Sequence, residues 1–284
     1  MDNLTASGVA QIGAYLHHLV LLSSDPKRMA QFYADVMDME QAQAVDGEWR
    51  CEGPNRRMVF QEGQSNVLSY AGFACPSQFD LNQLQRHIEE QDELVSPCET
   101  GYFGAGAFSV CDPDGNRIVF GVPNSNSETP RHGMPGALQH LVFASHDVEA
   151  FQTFYGDNLG FTITDRVLHA NGDLATCFLT STNEHHTIGC FKAKHKGIDH
   201  HCYEAVEWSY IRDWCDHFAR HDSPVIWGPG RHGPGNNLFV FIADPDGNMV
   251  EISAELEIVR GRPARDWPQS ERTLNLWGTG RLRS

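Results

Sequence analysis

Four stretches of the chain carry apolar residues at helical spacing, and shorter apolar runs between them are bounded by Gly, Pro, Asn and Asp. "SSDPKRMAQFYADVMDM" places Met29, Phe32, Tyr33, Val36 and Met37 on one face, with Ser24 as N-cap and Pro26 in the first turn. "SHDVEAFQTFYGDNLGF" repeats that plan with Val148, Phe151, Phe154 and Tyr155. Two further helices are predicted in "SQFDLNQLQRHIEEQ", with Phe79, Leu81, Leu84 and Ile88 inward, and in "SYIRDWCDHFARH", with Ile211, Trp214, Cys215 and Phe218 inward. A short strand precedes each helix and short strands follow it. The order is one strand, one helix and about three strands, four times over, which is an α+β chain of four βαβββ units.

The repeat is also visible residue by residue. "FSVCDPDGNRIVFGV" (108–122) and "FVFIADPDGNMVEIS" (239–253) share DPDGN followed by an apolar strand, and "YLHHLVLLSSD" (15–25) matches "ALQHLVFASHD" (137–147). DPDGN is a turn for a physical reason: Pro presets φ, and Asp, Gly and Asn tolerate the left-handed region. The linker-like "NSNSETPRHGMPG", Asn124–Gly136, divides the chain into modules at 1–128 and 129–284. Together these motifs resemble the vicinal oxygen chelate superfamily over residues 12 to 256, and in particular its two-domain type I extradiol ring-cleaving dioxygenases. The resemblance implies that each pair of units forms a cup-like, partly closed mixed sheet with flanking helices.

Composition narrows the partners. Of 284 residues, 40% are apolar and 20% charged, as in a globular protein with a real core. No apolar stretch approaches the roughly 20 residues of a membrane helix. "MDNLTASGVAQIGAYLHH" lacks the uninterrupted apolar region of a signal peptide, so a cytoplasmic location is expected. A formal charge of -16 argues against nucleic acid and anionic membrane. The eight cysteines show no CxxC or zinc-finger spacing and mostly read as small buried hydrophobes. Fifteen histidines are the informative excess.

One of the carboxylates stands out as well. Glu251 lies between Val250 and Ile252 in an apolar run, where an ionised carboxylate is costly unless paired or metal-bound. Comparing the first strands of the four units gives His18, Tyr70, His140 and His200 at one register position, and the closing strands offer Phe120 in the first half and Glu251 in the second. The first half is thus expected to lack metal ligands. In the resembling family the ligands fall at the positions of His140, His200 and Glu251, a two-histidine, one-carboxylate facial set of the kind used by non-haem Fe(II) oxygenases. Mn(II) suits the same donors. His201 competes with His200, but strand alternation points the two to opposite faces and the register favours His200.

Further roles come from the same resemblance. An acid–base histidine precedes the last unit, and His186 in "NEHHTIGCFK" fits best; its bland alternative is a strand-surface histidine. A pKa near 6.5 lets imidazole both take and return a proton. The family signature before the glutamate maps onto Gly230-Arg231-His232, then Val240-Phe241, then Asp244-Pro245-Asp246-Gly247 and Glu251. His232 would sit beside the oxygen and substrate site, or else order the loop "GPGRHGPGNN". Phe241 stands where the family has tyrosine and loses a hydrogen bond to substrate worth about 1.5–3 kcal/mol. Either substrate geometry differs or another hydroxyl serves.

The activity implied is Fe(II)-dependent extradiol cleavage of an aromatic diol by O2, in a homo-oligomer. Alternatives are another metal-dependent isomerase or hydrolase of the superfamily, or a non-catalytic small-molecule binder. Trp208, Trp214, Trp227, His169 and Phe191 are further candidates to touch substrate. The tail "ARDWPQSERTLNLWGTGRLRS" could cover the site or an oligomer contact.

Overall fold

The computed structural model describes residues 8–124 and 129–282; the start of the N-terminal stretch and residues 125–128, which include the expected module boundary, lie outside the described residues. The four units are as expected. The first comprises β1 (Tyr15–Ser23), α2 (Pro26–Asp35), β2 (Glu40–Gln43), β3 (Trp49–Gly53) and β4 (Arg56–Glu62), after a short α1 (Val9–Ile12). The second comprises β5 (Val67–Ala74), α3 (Gln78–Glu90), β6 (Ser96–Pro97), β7 (Phe108–Cys111) and β8 (Arg117–Gly121). The third comprises β9 (Ala137–Ser145), α4 (Val148–Thr153) running into a π-helical turn (Phe154–Asn158), β10 (Thr162–Leu168), β11 (Leu174–Thr180) and β12 (Ile188–Lys192). The fourth comprises β13 (Gly197–Glu204), α5 (Trp208–Arg220), β14 (Trp227–Arg231), β15 (Leu238–Ala243) and β16 (Met249–Ala254). The tail adds β17 (Arg265–Pro268) and α6 (Glu271–Leu274).

The strands form two sheets, β2-β3-β4-β1-β5-β8-β7-β6 and β14-β15-β16-β13-β9-β12-β11-β10-β17. At the centre of each, the first strands of two units pair antiparallel, and each unit's closing strand lies parallel beside its own first strand. That arrangement brings three strands of the second sheet into one row, with His140 opposite Cys202 and Cys202 opposite Glu251. His200, two residues before Cys202, shares its face.

One apolar core cluster runs under both sheets and includes Phe60, Phe73, Phe143, Phe161 and Trp214. The modules also exchange polar contacts reciprocally. Tyr33 of α2 donates to Asp244 Oδ2 at 3.3 Å and stands 2.8 Å from His201 Nε2, while Tyr155, in the π-helical turn, donates to Asp112 Oδ2 at 3.1 Å. Both aspartates open a DPDGN turn, so each module's helix reaches the other module's turn. Arg28 to Asp246 (3.1 Å) and Lys196 to Asp114 (2.6 Å) extend the exchange at the surface. The fully buried Arg56 donates to the carbonyls of Met37, Asp38, Met134 and Gly136, binding the turn after α2 to the inter-module connection.

Several local expectations are corrected. Asp25, not Ser24, caps α2 by accepting from Arg28 N, and Ser24 bonds Ser65 instead. Phe79 is 64% exposed, because only Leu81, Leu84 and Ile88 of the expected α3 face turn inward. The counterpart of Glu251 is Val119 rather than Phe120: Gly72 pairs with Val119 as Cys202 pairs with Glu251. Val119 packs with Ala74, Phe103 and Ala107. The first cup is filled. The His18 ring lies so close over Gly72 that a Cβ there would stand 2.1 Å from His18 Cε1, and Tyr102 and Phe103 pack against the same ring. Within the span 1–128, α1 bonds its backbone to Leu159 and Gly160 of the later half; Gly160, at φ +78°, leaves no room for a Cβ against Gly8.

Candidate metal centre

Glu251 is 1% exposed, and its Oε2 stands 3.3 Å from both His140 Nε2 and His200 Nε2. Its Oε1 accepts from Asn237 Nδ2 at 3.2 Å and lies 3.7 Å from His232 Nε2. Burial pushes the Glu251 carboxyl up, but the bonds from His140, His200 and His232 outweigh it and hold the group well below the usual carboxylate range. Burial also lowers His140, while at His200 the Asp199 and Glu251 carboxylates overcome burial and raise it.

The outer nitrogens of both imidazoles are occupied. His200 Nδ1 meets Asp199 Oδ1 at 2.6 Å, and His140 Nδ1 meets Gln139 Oε1 at 3.3 Å. Gln139 is held in turn by donating to Glu184 and Glu204, 2.8 Å each. With acceptors at Nδ1, both rings can keep a proton there and would offer Nε2 to an ion held at Glu251, the support expected around ligating histidines. Metal bonds of about 2.1 Å would put neighbouring ligand atoms about 3 Å apart, close to the 3.3 Å separations found. The donor set and its spacing therefore fit a divalent ion.

Cys202 Sγ shares the cross-strand row and lies within 4.8 Å of the His140 and Glu251 ligand atoms. It is the weaker donor. Burial, then Glu251 and Glu204, keep its thiol protonated, and Cys202 is not among the residues lining the cavity, whereas His200 is.

That cavity joins all six residues singled out in the sequence: His140, His186, His200, His232, Phe241 and Glu251. Phe178, Phe191, Trp227, Pro234, Thr273 and Leu274 complete it, and no lysine or arginine is among them. His186 is 4% exposed with its ring 4.1 Å from that of His140, so it is no surface histidine. His232 stacks on Phe239 at 4.0 Å, and its Nδ1 bonds Leu274 O, tying the β14–β15 loop to the tail. Phe241 sits edge-on to His200 at 5.2 Å and stacks on Trp227 at 5.1 Å. His201 points away, to Tyr33. Of the further aromatic candidates, Trp227 and Phe191 line the cavity, Trp214 is core and Trp208 is 46% exposed. The tail closes the cavity through α6, whose Thr273 carbonyl accepts from Gly233 N.

Asp199, Gln139 and Asn237 escaped the sequence reading. Residues next to a strand ligand normally face away from it, so adjacency carried no signal, and Asn237 lies in a loop without periodicity.

Residues 15–120 and 137–252 each match the family model described as Glyoxalase/Bleomycin resistance protein/Dioxygenase superfamily. The chain belongs to this superfamily. Among curated relatives, Metapyrocatechase 2 of Cupriavidus necator is 24% identical over 245 residues, 77% of this chain and 74% of that protein. Metapyrocatechase of Pseudomonas sp. (strain CF600) is 24% identical over 220 residues, 69% of each. The anaerobic substrate complex of homoprotocatechuate 2,3-dioxygenase from Brevibacterium fuscum has the same fold, with a TM-score of 0.83 at 18% identity over 99% of this chain and 93% of that one. Among the described residues no helix is long and apolar enough to cross a membrane.

Proposed function

We propose that this superfamily member is an extradiol dioxygenase that opens the ring of a catechol-type substrate with O2. The observation that carries the reading is the convergence of His140 Nε2 and His200 Nε2 on Glu251 Oε2 at the base of an apolar, aromatic-lined cavity. Relatives named metapyrocatechase support it, as does a neighbouring fold solved with 3,4-dihydroxyphenylacetate, itself a vicinal diol. His140, His200 and Glu251 hold the metal, Fe(II) in this reading, with Mn(II) as the substitute suited to the same donors; a relative is named for manganese dependence. When bound, the ion supplies a redox-active centre with open positions for diol and O2.

The chain's own residues do the rest. Phe178, Phe191, Trp227 and Phe241 sandwich an aromatic ring and exclude water. His186 takes a diol proton at its cavity-facing nitrogen and later returns it. His232 offers Nε2 beside Glu251 to an oxygen. The hydroxyl absent at Phe241 is not replaced by Thr273, whose Oγ1 already donates to Pro268 O at 2.6 Å. This favours an altered hold on the diol oxygens over a substituted hydroxyl. With no cationic residue in the lining, an uncharged ring substituent fits best.

The test is anaerobic loading with Fe(II), then oxygen uptake against a panel of catechols. A yellow ring-opened product containing both oxygen atoms is expected, and Glu251→Gln should lose both metal and turnover. A metal-loaded wild type that consumes no oxygen with any catechol would refute the reading. Cytoplasmic residence and homo-oligomerisation belong to the same proposal, the second checked by light scattering.

A further inference from the structure

Behind His186 runs a buried polar chain that metal binding does not need. His186 Nδ1 is 2.9 Å from His185 Nδ1, and His185 Nε2 is 3.0 Å from Asp165 Oδ2, an ion-pair distance without hydrogen-bond alignment. His185 and Asp165 are both 0% exposed. Asp165 Oδ1 accepts from Arg262 Nη1 at 2.9 Å and Arg265 N at 3.3 Å, and its Oδ2 accepts from Trp267 Nε1 at 2.8 Å. Burial raises the Asp165 carboxyl, but His185, Trp267 and Arg262 prevail and lower it, so it is ionised.

An ionised carboxylate only accepts. A bare lone pair on His185 Nε2 would face a negative oxygen at 3.0 Å, so the proton belongs on that nitrogen. Arg262 is shared between Asp165 and Glu257, and with Arg265 beside Glu257 the two arginines match the two carboxylates; with the charges balanced, a neutral His185 that donates through Nε2 and keeps a bare Nδ1 completes the chain. Across the 2.9 Å contact one Nδ1 must donate, and only that of His186 can. We infer that Asp165 and His185 are positioning residues that fix His186 in its Nδ1–H tautomer, leaving the Nε2 lone pair to face the cavity as the proton acceptor. This rests on the dioxygenase reading for its catalytic consequence, but not for the tautomer itself.

Asp165→Asn tests it with little change in shape. The two donors on Oδ1 hold the amide oxygen in place, which turns the new NH2 toward His185 Nε2 at the cost of the Trp267 Nε1 bond. That nitrogen must then accept, His185 Nδ1 must donate, and His186 is left with its proton on Nε2. In histidine-nitrogen NMR of the metal-free chain, above the usual histidine titration range, wild-type His186 should show the Nδ1–H pattern and Asp165→Asn the Nε2–H pattern. In the metal-loaded enzyme, kcat should fall by about a hundredfold, the scale of a lost general base, with KM and metal content close to wild type. A wild-type His186 protonated at Nε2, or a doubly protonated His185, overturns the inference even if Asp165→Asn does not fold. So does a folded Asp165→Asn with unchanged tautomer and kcat. A wild type that cleaves no catechol sinks the dioxygenase reading alone, because the tautomer measurement stands apart from turnover.

Discussion

Replacing Tyr33 and Tyr155 by phenylalanine, one at a time, separates what the modules owe each other from what the metal owes them. Both hydroxyls are buried and donate to the first aspartate of the opposite DPDGN turn, at 3.3 Å for Tyr33 and 3.1 Å for Tyr155. Removing a bond to a charged group costs about 1.5–3 kcal/mol. Tyr155→Phe should cost about that, since Asp112 keeps its bonds from Asn116 and Asp114. Tyr33 also stands 2.8 Å from His201 Nε2, whose Nδ1 has no partner, so a second, neutral bond is lost. Tyr33→Phe should therefore cost about 2–4 kcal/mol. The two share no partner, so the double variant should add. Urea denaturation at neutral pH measures the losses, and metal titration measures the coupling. His201 adjoins His200, one of the three residues proposed to hold the metal, so Tyr33→Phe should weaken metal binding while Tyr155→Phe should not. Losses below about 0.5 kcal/mol in both variants, or equal effects on metal affinity, would refute this account of the interface.

Three other outcomes follow from the same contacts. Burial raises Asp244 to about 6 from 3.8, so the folded state prefers the protonated acid; that contribution is complete below 3.8 and is lost as pH climbs through about 6. Relative to Asp244→Asn, wild-type stability should thus fall across that window in denaturation curves, and a flat difference would contradict it. Val119→Glu should create no second metal site, because His18 lies over Gly72 and Tyr70 occupies the register position of His200; the unpaired buried carboxylate should cost about 3 kcal/mol or more, with metal stoichiometry unchanged. Arg56→Met should destabilise by about 3–5 kcal/mol, since four carbonyls lose a buried cationic donor, and Arg56→Lys should recover only part because it lacks the planar fork. Thermal unfolding checks both Arg56 variants.

The unit order and the strand positions of the converging His140, His200 and Glu251 were legible because both depend on short-range pattern. A period-two strand sets the face of His140, and DPDGN sets the register of Glu251. The same turn could have shown Val119 as the counterpart of Glu251, since counting from it aligns Arg117 with Met249. Other features depend on chain segments far apart in sequence. Asp165 of β10 meets His185 of the β11–β12 loop, and α6 reaches His232 only after β17 has joined the sheet edge beside β10. Ser24 and Asp25 are both acceptable caps by composition, and only the Ser65 hydroxyl across the sheet decides between them.

The reciprocal tyrosine–aspartate contacts have the form of a two-fold symmetric, self-complementary association. One patch, a helix tyrosine plus an Asp-Pro-Asp-Gly-Asn corner, is used twice, in opposite directions. Such a surface needs no second design: a lone ancestral half could have met its own copy through it, with the covalent join coming later. With that contact met twice inside one chain, the halves are free to differ: His18, Tyr102 and Phe103 fill one cup, and the other keeps a cavity.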